Sequence, residues 1–312
     1  ADIEPFYEND RVIGLAEMMN SFGVNQADPA ILDKINVTLE HQKIIDGHAP
    51  LLSGQELNGY VAAGIRSDHE CSNVREAKEK FARGQWIMVR EGTAAHNLEA
   101  LLPLFEAPYA QRIMLVTDDK HPCDLLRDGH IDAIVRKAVQ KGIDPVKAIK
   151  AGTYNAASYF GLVNHGAIAP GYCADIAVLD SLTELNVLEV YKDGVLAAEN
   201  GKSLVKSSVP EMGQEIQERV YHSFHVDPVN VSQLAMEKKG ERIRVIDLNA
   251  HELLTTERIA GWTCREGCAD GVDPEEDIVK IVALERQVTM NFTPWTSYHE
   301  MLFDQEKVET IV

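Results

Sequence analysis

From residue 11 to about residue 160, short apolar runs alternate with stretches whose apolar positions recur at helical spacing. The runs "RVIGLAE" (11–17), "KIIDGH" (43–48), "GIRSD" (64–68), "QWIMVRE" (85–91) and "RIMLVTDD" (112–119) predict strands. Segments near 29–41, 52–63, 73–83, 94–105 and 123–141 predict the helices between them. Five βα units in succession imply an α/β fold built on a parallel sheet, because parallel neighbours need a crossover and a helix supplies it. A further helical stretch covers 144–160. Beyond it the pattern turns to Gly- and Pro-punctuated alternation, and "YKDGVLAAENG" reads as a hairpin with an Asp-Gly turn. The pattern thus divides into a parallel α/β region, a small β domain over about 165–205 and a more polar region over 206–312. That last region has strand patterns at "RIRVIDL" and "IVKIVALERQV".

Polar residues gather where each predicted strand ends: Glu17, His48, Asp68-His69-Glu70, Arg90-Glu91 and Asp118-Asp119. In a parallel α/β array the carboxyl ends of all strands open on one face, so these side chains converge there. A closed barrel needs eight strands in about 250 residues. Five are visible, so about three units are expected on the N-terminal side if the sheet closes.

Charge and cysteine content narrow the partners. A chain of 312 residues with a net charge of -19 and a pI near 5.0 repels phosphate backbones and anionic lipid surfaces. Neither a nucleic acid nor a membrane is expected as partner; a small neutral or weakly basic molecule fits better. Five cysteines, Cys71, Cys123, Cys173, Cys264 and Cys268, do not form the framework of a secreted disulfide scaffold. No apolar run of about 18 residues occurs and the N-terminus lacks a signal-peptide pattern, so a cytoplasmic location is expected. The chain begins "ADIEPFYEND", without Met, as a processed protein or a piece of a longer one would.

Hydrolytic metal sites need neutral imidazoles and carboxylates held rigidly at one point. Glu17, His48, His69 and Asp118 are of those types, spaced one per strand end. Each alone has an ordinary alternative: a hydrogen-bonded structural histidine, a surface ion pair, or, for Asp118-Asp119, a cap on the following helix. Their coincidence at the strand ends sets a shared divalent cation, with Asp118 placed to shuttle a proton, level with those alternatives. Other candidates are weaker. Cys264 and Cys268 in "GWTCREGC" lack two further ligands at zinc-site spacing, and His222 and His225 read as surface residues. No Gly-rich phosphate loop and no H-x-E with P-C-x-x-C pattern is present.

With these residues in view, the chain resembles the bacterial-type adenine deaminases of the amidohydrolase superfamily. The resemblance lies in "GLAEMMNSFGV", "IDGHAPLLSGQELNGYVAAGIRSDHE", "REGTAAHNLEALLP", "VTDDKHPCDLLRDGHID" and "GAIAPGYCADIAVLD", and again in "DIVKIVALER" at 277–286. It implies an α/β fold that hydrolyses adenine to hypoxanthine and ammonia: a partial TIM-like (β/α)8 barrel of the metal-dependent hydrolase type over 1–163, a β-sandwich-like segment over 164–205 and an α+β adenine-deaminase C-terminal-like domain over 206–312. It further implies a divalent, binuclear metal centre of manganese, iron or zinc. Under it Glu17 bridges two metals, His48 and His69 bind the second, and Asp118 is both ligand and proton shuttle. Glu70 is then expected in proton transfer, and Asp119, Arg90 and Glu91 in substrate contact. Two departures stand out. The His-x-His pair of the superfamily's first strand has no counterpart here, and the family pattern is lost after "ALER". Activity therefore implies association, as a homo-oligomer or with an N-terminal half. The rival expectations are another cyclic-amide hydrolase, or a half barrel acting only by association.

Overall fold

A computed structural model describes residues 2–206 and, of the remainder, 212–223, 230, 232, 238, 240–263 and 271–281. The chain divides into two compact units, Ala1–Lys206 and Ser207–Val312.

The first unit opens with five parallel strands in chain order: β1 (Gly14–Met18), β2 (Ile44–Gly47), β3 (Ser67–Asp68), β4 (Trp86–Arg90) and β5 (Ile113–Val116). Ladders join β1 to β2 and β3 to β4 to β5. β3 is only two residues long, so β2 and β3 meet through single bonds such as Arg66 N–H to the Ile45 carbonyl, 3.0 Å, rather than through a ladder. Helices α1 (Ser21–Asn25), α2 (Pro29–Glu40), α3 (Gly54–Ala62), α4 (Val74–Ala82) and α5 (Leu98–Leu101) follow the strands in turn. Their starts are written locally. Asp28 caps α2 by accepting from the Ala30 N–H at 2.8 Å, with Pro29 at the first helical position, and Asn73 caps α4 through the Glu76 N–H at 3.0 Å.

β4 and β5 are buried on both faces. Ile87, Val89, Ile113 and Leu115 face one core with Leu98, Leu101, Phe105, Ile134 and Ala148, while Met88 and Met114 face another with Tyr159. That two-sided burial is why these strands read as continuous apolar runs. The expected helix at 123–141 is two helices, α6 (Pro122–Asp128) and α7 (Ile131–Gln140), separated at Gly129, whose φ of +98° ends the first. The expected 94–105 helix shrinks to α5 and a 3-10 turn over Leu102–Phe105. Two short helices, α8 (Pro145–Gly152) and α9 (Tyr154–Tyr159), complete the helical region.

An antiparallel sheet follows: β6 (Ile176–Leu179), β7 (Val187–Lys192), β8 (Val195–Glu199) and β9 (Lys202–Ser203). Asp193-Gly194 turns β7 into β8 with both residues at positive φ, +50° and +77°, the turn that suits strand twist.

In the second unit, α10 (Gln214–Tyr221) is exposed, and β10 (Arg242–Leu248) pairs antiparallel with β11 (Thr255–Gly261). Ile243, Val245 and Ile278 form its small core. His222 is exposed and meets Glu218 at 3.1 Å; His225, Cys264, Cys268 and most of "IVKIVALERQV" lie outside the described residues. Among the described residues no helix is long and apolar enough to cross a membrane.

Candidate metal centre

The strand ends bring the expected side chains together. Glu17 sits one residue before the end of β1, His48 directly follows β2, His69 directly follows β3, Arg90 closes β4, and Asp118 lies two residues past β5. Glu17 Oε2 is 3.2 Å from His48 Nδ1 and 3.0 Å from His69 Nε2, and the two ring nitrogens are 3.2 Å apart. The imidazoles meet edge to face, with centroids 5.2 Å apart.

With Glu17 ionised, this triangle cannot be satisfied by protons alone. Each edge requires one donor and one acceptor, and three atoms in a ring cannot alternate between two roles. Whatever the tautomers, one edge sets two lone pairs or two N–H groups against each other. A cation in reach of all three resolves the conflict. Metal–nitrogen bonds of 2.0–2.1 Å in a tetrahedral site separate ligand atoms by about 3.3 Å, close to the spacing found. Two neutral imidazole nitrogens and a carboxylate are a donor set for a divalent ion of borderline softness.

Beside the triangle lies a charged cluster. Glu70 Oε1 approaches His69 Nε2 at 3.2 Å and His48 Nδ1 at 3.7 Å, and accepts a short bond from one nitrogen of the buried Arg90 guanidinium. The other terminal nitrogen of Arg90 reaches Asp118 Oδ2 at 2.6 Å and Asp119 Oδ1 at 2.9 Å. Asp118 holds a left-handed φ of +51°, which Asp tolerates better than most residues. Burial opposes ionisation of both His69 and Glu70. The hydrogen bond between them prevails, raising the His69 pKa and, with Arg90, lowering that of Glu70. Glu91 is directed elsewhere: Oε1 accepts the Leu98 N–H at the start of α5 (2.9 Å) and Oε2 meets Lys137 on α7 (2.9 Å).

Three residues to which sequence reasoning gave no role fix the backbone around Glu17, His48 and His69. The Tyr60 hydroxyl, on α3, donates to the Met18 carbonyl at 2.6 Å and accepts from the His48 N–H at 2.9 Å, so one buried group ties the residue after Glu17 to the His48 backbone. Burial pushes its pKa up. Asp68 accepts from the N–H groups of Ala49 (2.8 Å) and Glu70 (3.1 Å). Lys80 donates to Asp68 (2.9 Å), Glu76 (2.7 Å) and the Ala49 carbonyl (2.6 Å). Asp68, Cys71 and Glu76 also converge closely enough for a metal, but the Lys80 ammonium already answers both carboxylates.

The family model described as "Amidohydrolase family" matches residues 2–197. Similar curated proteins include the adenine deaminases of Dehalococcoides mccartyi, 42% identical over 91% of this chain and 48% of the relative, and of Kosmotoga olearia, 42% identical over 89% and 48%. That of Desulfatibacillum aliphaticivorans is 41% identical over 91% and 49%. The chain thus spans about half the length of the curated relatives it matches. Among solved structures, the β-aspartyl dipeptidase of Fervidobacterium islandicum AW-1 in complex with a β-Asp-Leu dipeptide superposes with a TM-score of 0.51 at 18% identity, over 67% of this chain and 62% of that one. A second structure of that enzyme gives 0.50 at 22%, over 65% and 60%. These structural likenesses concern the fold alone.

Proposed function

Because the chain belongs to the amidohydrolase family, we propose that this protein carries out metal-dependent hydrolytic deamination of adenine to hypoxanthine and ammonia. The observation that carries the reading is the triangle of Glu17, His48 and His69, three lone-pair atoms within 3.0–3.2 Å of one another at the carboxyl ends of successive parallel strands. The likeness to curated adenine deaminases supports adenine as the substrate. In this reading the five parallel strands are part of a (β/α)8 barrel, residues 164–205 belong to a β-sandwich, and 206–312 form the adenine-deaminase C-terminal-like domain. The protein acts in the cytoplasm, as an assembly of copies or with a complementary N-terminal half.

Glu17, His48 and His69 would hold a divalent ion, manganese, iron or zinc, and Glu17 and Asp118 are the carboxylates that would serve a second. Such an ion supplies Lewis-acid chemistry, making a water acidic enough to lose a proton near neutral pH. The Asp118 carboxylate takes a proton from the attacking water and returns it to the exocyclic nitrogen. The C6–O bond forms, the C6–N bond breaks and ammonia leaves. Arg90 fixes the direction of Asp118 and Asp119 through one guanidinium nitrogen. Glu70, kept ionised by His69 and Arg90, acts as an acceptor. Asp119, at the exposed edge, contacts the purine, and the proton left on the new hydroxyl ends on the ring nitrogen as the C6=O bond forms.

The test pairs metal analysis with an ammonia-release assay on adenine, dihydropyrimidines and hydantoins. His48→Ala and Asp118→Asn are expected to abolish adenine turnover with far-UV CD nearly unchanged, and His48→Ala to lose bound metal. Turnover of a cyclic amide but not adenine moves the protein to a cyclic-amide hydrolase. A protein that binds no metal and releases no ammonia overturns the proposal.

A further inference from the structure

We infer that Lys80 is a positioning residue of the metal centre, its ammonium fixing the two loops that present His48 and His69. The inference rests on the reading of those histidines as ligands. Lys80 is fully buried, the only lysine so placed among the described residues. Its three N–H groups have three acceptors: the carbonyl of Ala49, next to His48; the carboxylate of Asp68, next to His69; and Glu76. The same Asp68 accepts the Ala49 N–H at 2.8 Å and the Glu70 N–H at 3.1 Å, so both polar backbone atoms of Ala49 are fixed by the Asp68–Lys80 pair. Glu76 extends the hold by accepting the Leu51 N–H at 2.8 Å. One ammonium therefore closes a ring of bonds running from the residue after His48 to the residues on either side of His69.

A buried charge is a poor way to gain stability, since a well-packed apolar side chain of like volume commonly does as well or better. What the ammonium adds is direction. Two carboxylates facing one ammonium also leave the trio with a net charge of −1, which favours a cation nearby.

The test removes the ammonium without changing that net charge. In Lys80→Met/Glu76→Gln, Asp68 alone keeps −1; in Lys80→Met/Asp68→Asn/Glu76→Gln the trio is neutral. Each variant, with wild type and His48→Ala, is titrated with Co(II). Affinity and the visible d–d bands, which respond to ligand geometry, are read beside far-UV CD and cooperative unfolding of the metal-free protein. The expected result is a folded Lys80→Met/Glu76→Gln protein that binds Co(II) 10- to 100-fold more weakly, as loss of a group supporting a ligand does, with altered visible bands. Wild-type affinity and bands in a folded variant lacking the ammonium overturn the inference. So does failure of both variants to fold, which would make Lys80 a requirement of the core. If wild type and His48→Ala bind Co(II) alike, the metal-centre reading itself falls. If His48→Ala alone loses it, only the role of Lys80 does.

Discussion

Gly47 offers the sharpest probe of how closely β2 and β3 must approach to present their histidines. A Cβ built on Gly47 would stand 2.1 Å from the Ser67 carbonyl oxygen, 2.8 Å from Ile65 Cγ2 and 3.1 Å from the Tyr60 hydroxyl. An ordinary carbon–oxygen contact is about 3.3 Å, so Gly47→Ala must move the β3 backbone by about 1 Å. Moving a carbonyl fixed in a neighbouring strand costs more than turning a side chain, which puts the penalty at the upper end of overpacking, about 3 kcal/mol. In a unit the size of Ala1–Lys206 that corresponds to a Tm lower by about 6–12 °C. The control is Gly54→Ala. Its φ is +59° with nothing within 4 Å, so only left-handed strain of about 1–2 kcal/mol applies. Thermal melts followed by CD compare the two variants with wild type, and Co(II) titration reads the histidines. Gly47→Ala should also bind Co(II) at least 10-fold more weakly, because His48 is the next residue. Equal melting of Gly47→Ala and Gly54→Ala, or an unchanged Co(II) affinity in Gly47→Ala, refutes the reasoning.

Tyr60→Phe should cost about 2 kcal/mol in urea unfolding, because it strands a His48 N–H and a Met18 carbonyl that the hydroxyl now pairs inside the core; a loss below about 0.5 kcal/mol would mean other groups take over. Acid stability should follow Asp68. Burial opposes its ionisation, yet Lys80 prevails and holds its pKa below the ordinary 3.8, so its contribution is present above that value and lost as pH falls through the folded pKa. Lys80, held above its ordinary 10.5 by Asp68 and Glu76 despite burial, contributes fully below 10.5 and loses its share only as pH rises beyond the folded pKa. Urea midpoints of metal-free protein between pH 2 and 5 should therefore fall more steeply for wild type than for Asp68→Asn; parallel slopes would exclude Asp68 as the cause.

The strand positions and four converging side chains were legible because parallel strands buried on both faces read as apolar runs that stop where chemistry begins. The support beneath them was not. On "VREAKEKFA", Glu76 and Lys80 have the i, i+4 spacing of a solvent-exposed ion pair, yet both are buried while Arg75 and Lys78 remain outside. Nothing local marks that inversion; it depends on Asp68 and the Ala49 carbonyl, brought from two other loops. Tyr60 hides for the same reason, since an aromatic residue on an amphipathic helix reads as packing. Glu91 ends an apolar run as Arg90 does, but its carboxylate accepts from the Leu98 N–H at the start of α5 and from Lys137, partners that no local pattern marks. The split at Gly129 was visible as a glycine, although not as a stop, because apolar periodicity resumes after it.

The charges around the strand ends support the proposed pair of ions over a single one. Glu17, Glu70, Asp68, Glu76, Asp118 and Asp119 are linked by direct contacts to Arg90, Lys80 and the two histidines. Six carboxylates against two permanent cations leave −4 while the histidines are neutral. Water screens part of this at Glu17, Asp118 and Asp119, whose side chains are 39%, 35% and 47% exposed, but not at buried Asp68, Glu70 or Glu76. One divalent ion halves the imbalance and a second removes it. Arg90 faces Glu70, Asp118 and Asp119 together, so in the metal-free protein it is the permanent cation that answers all three, helped at Glu70 by His69. A cation near Asp118 would share that load and loosen the hold of Arg90 on the Asp118 carboxylate.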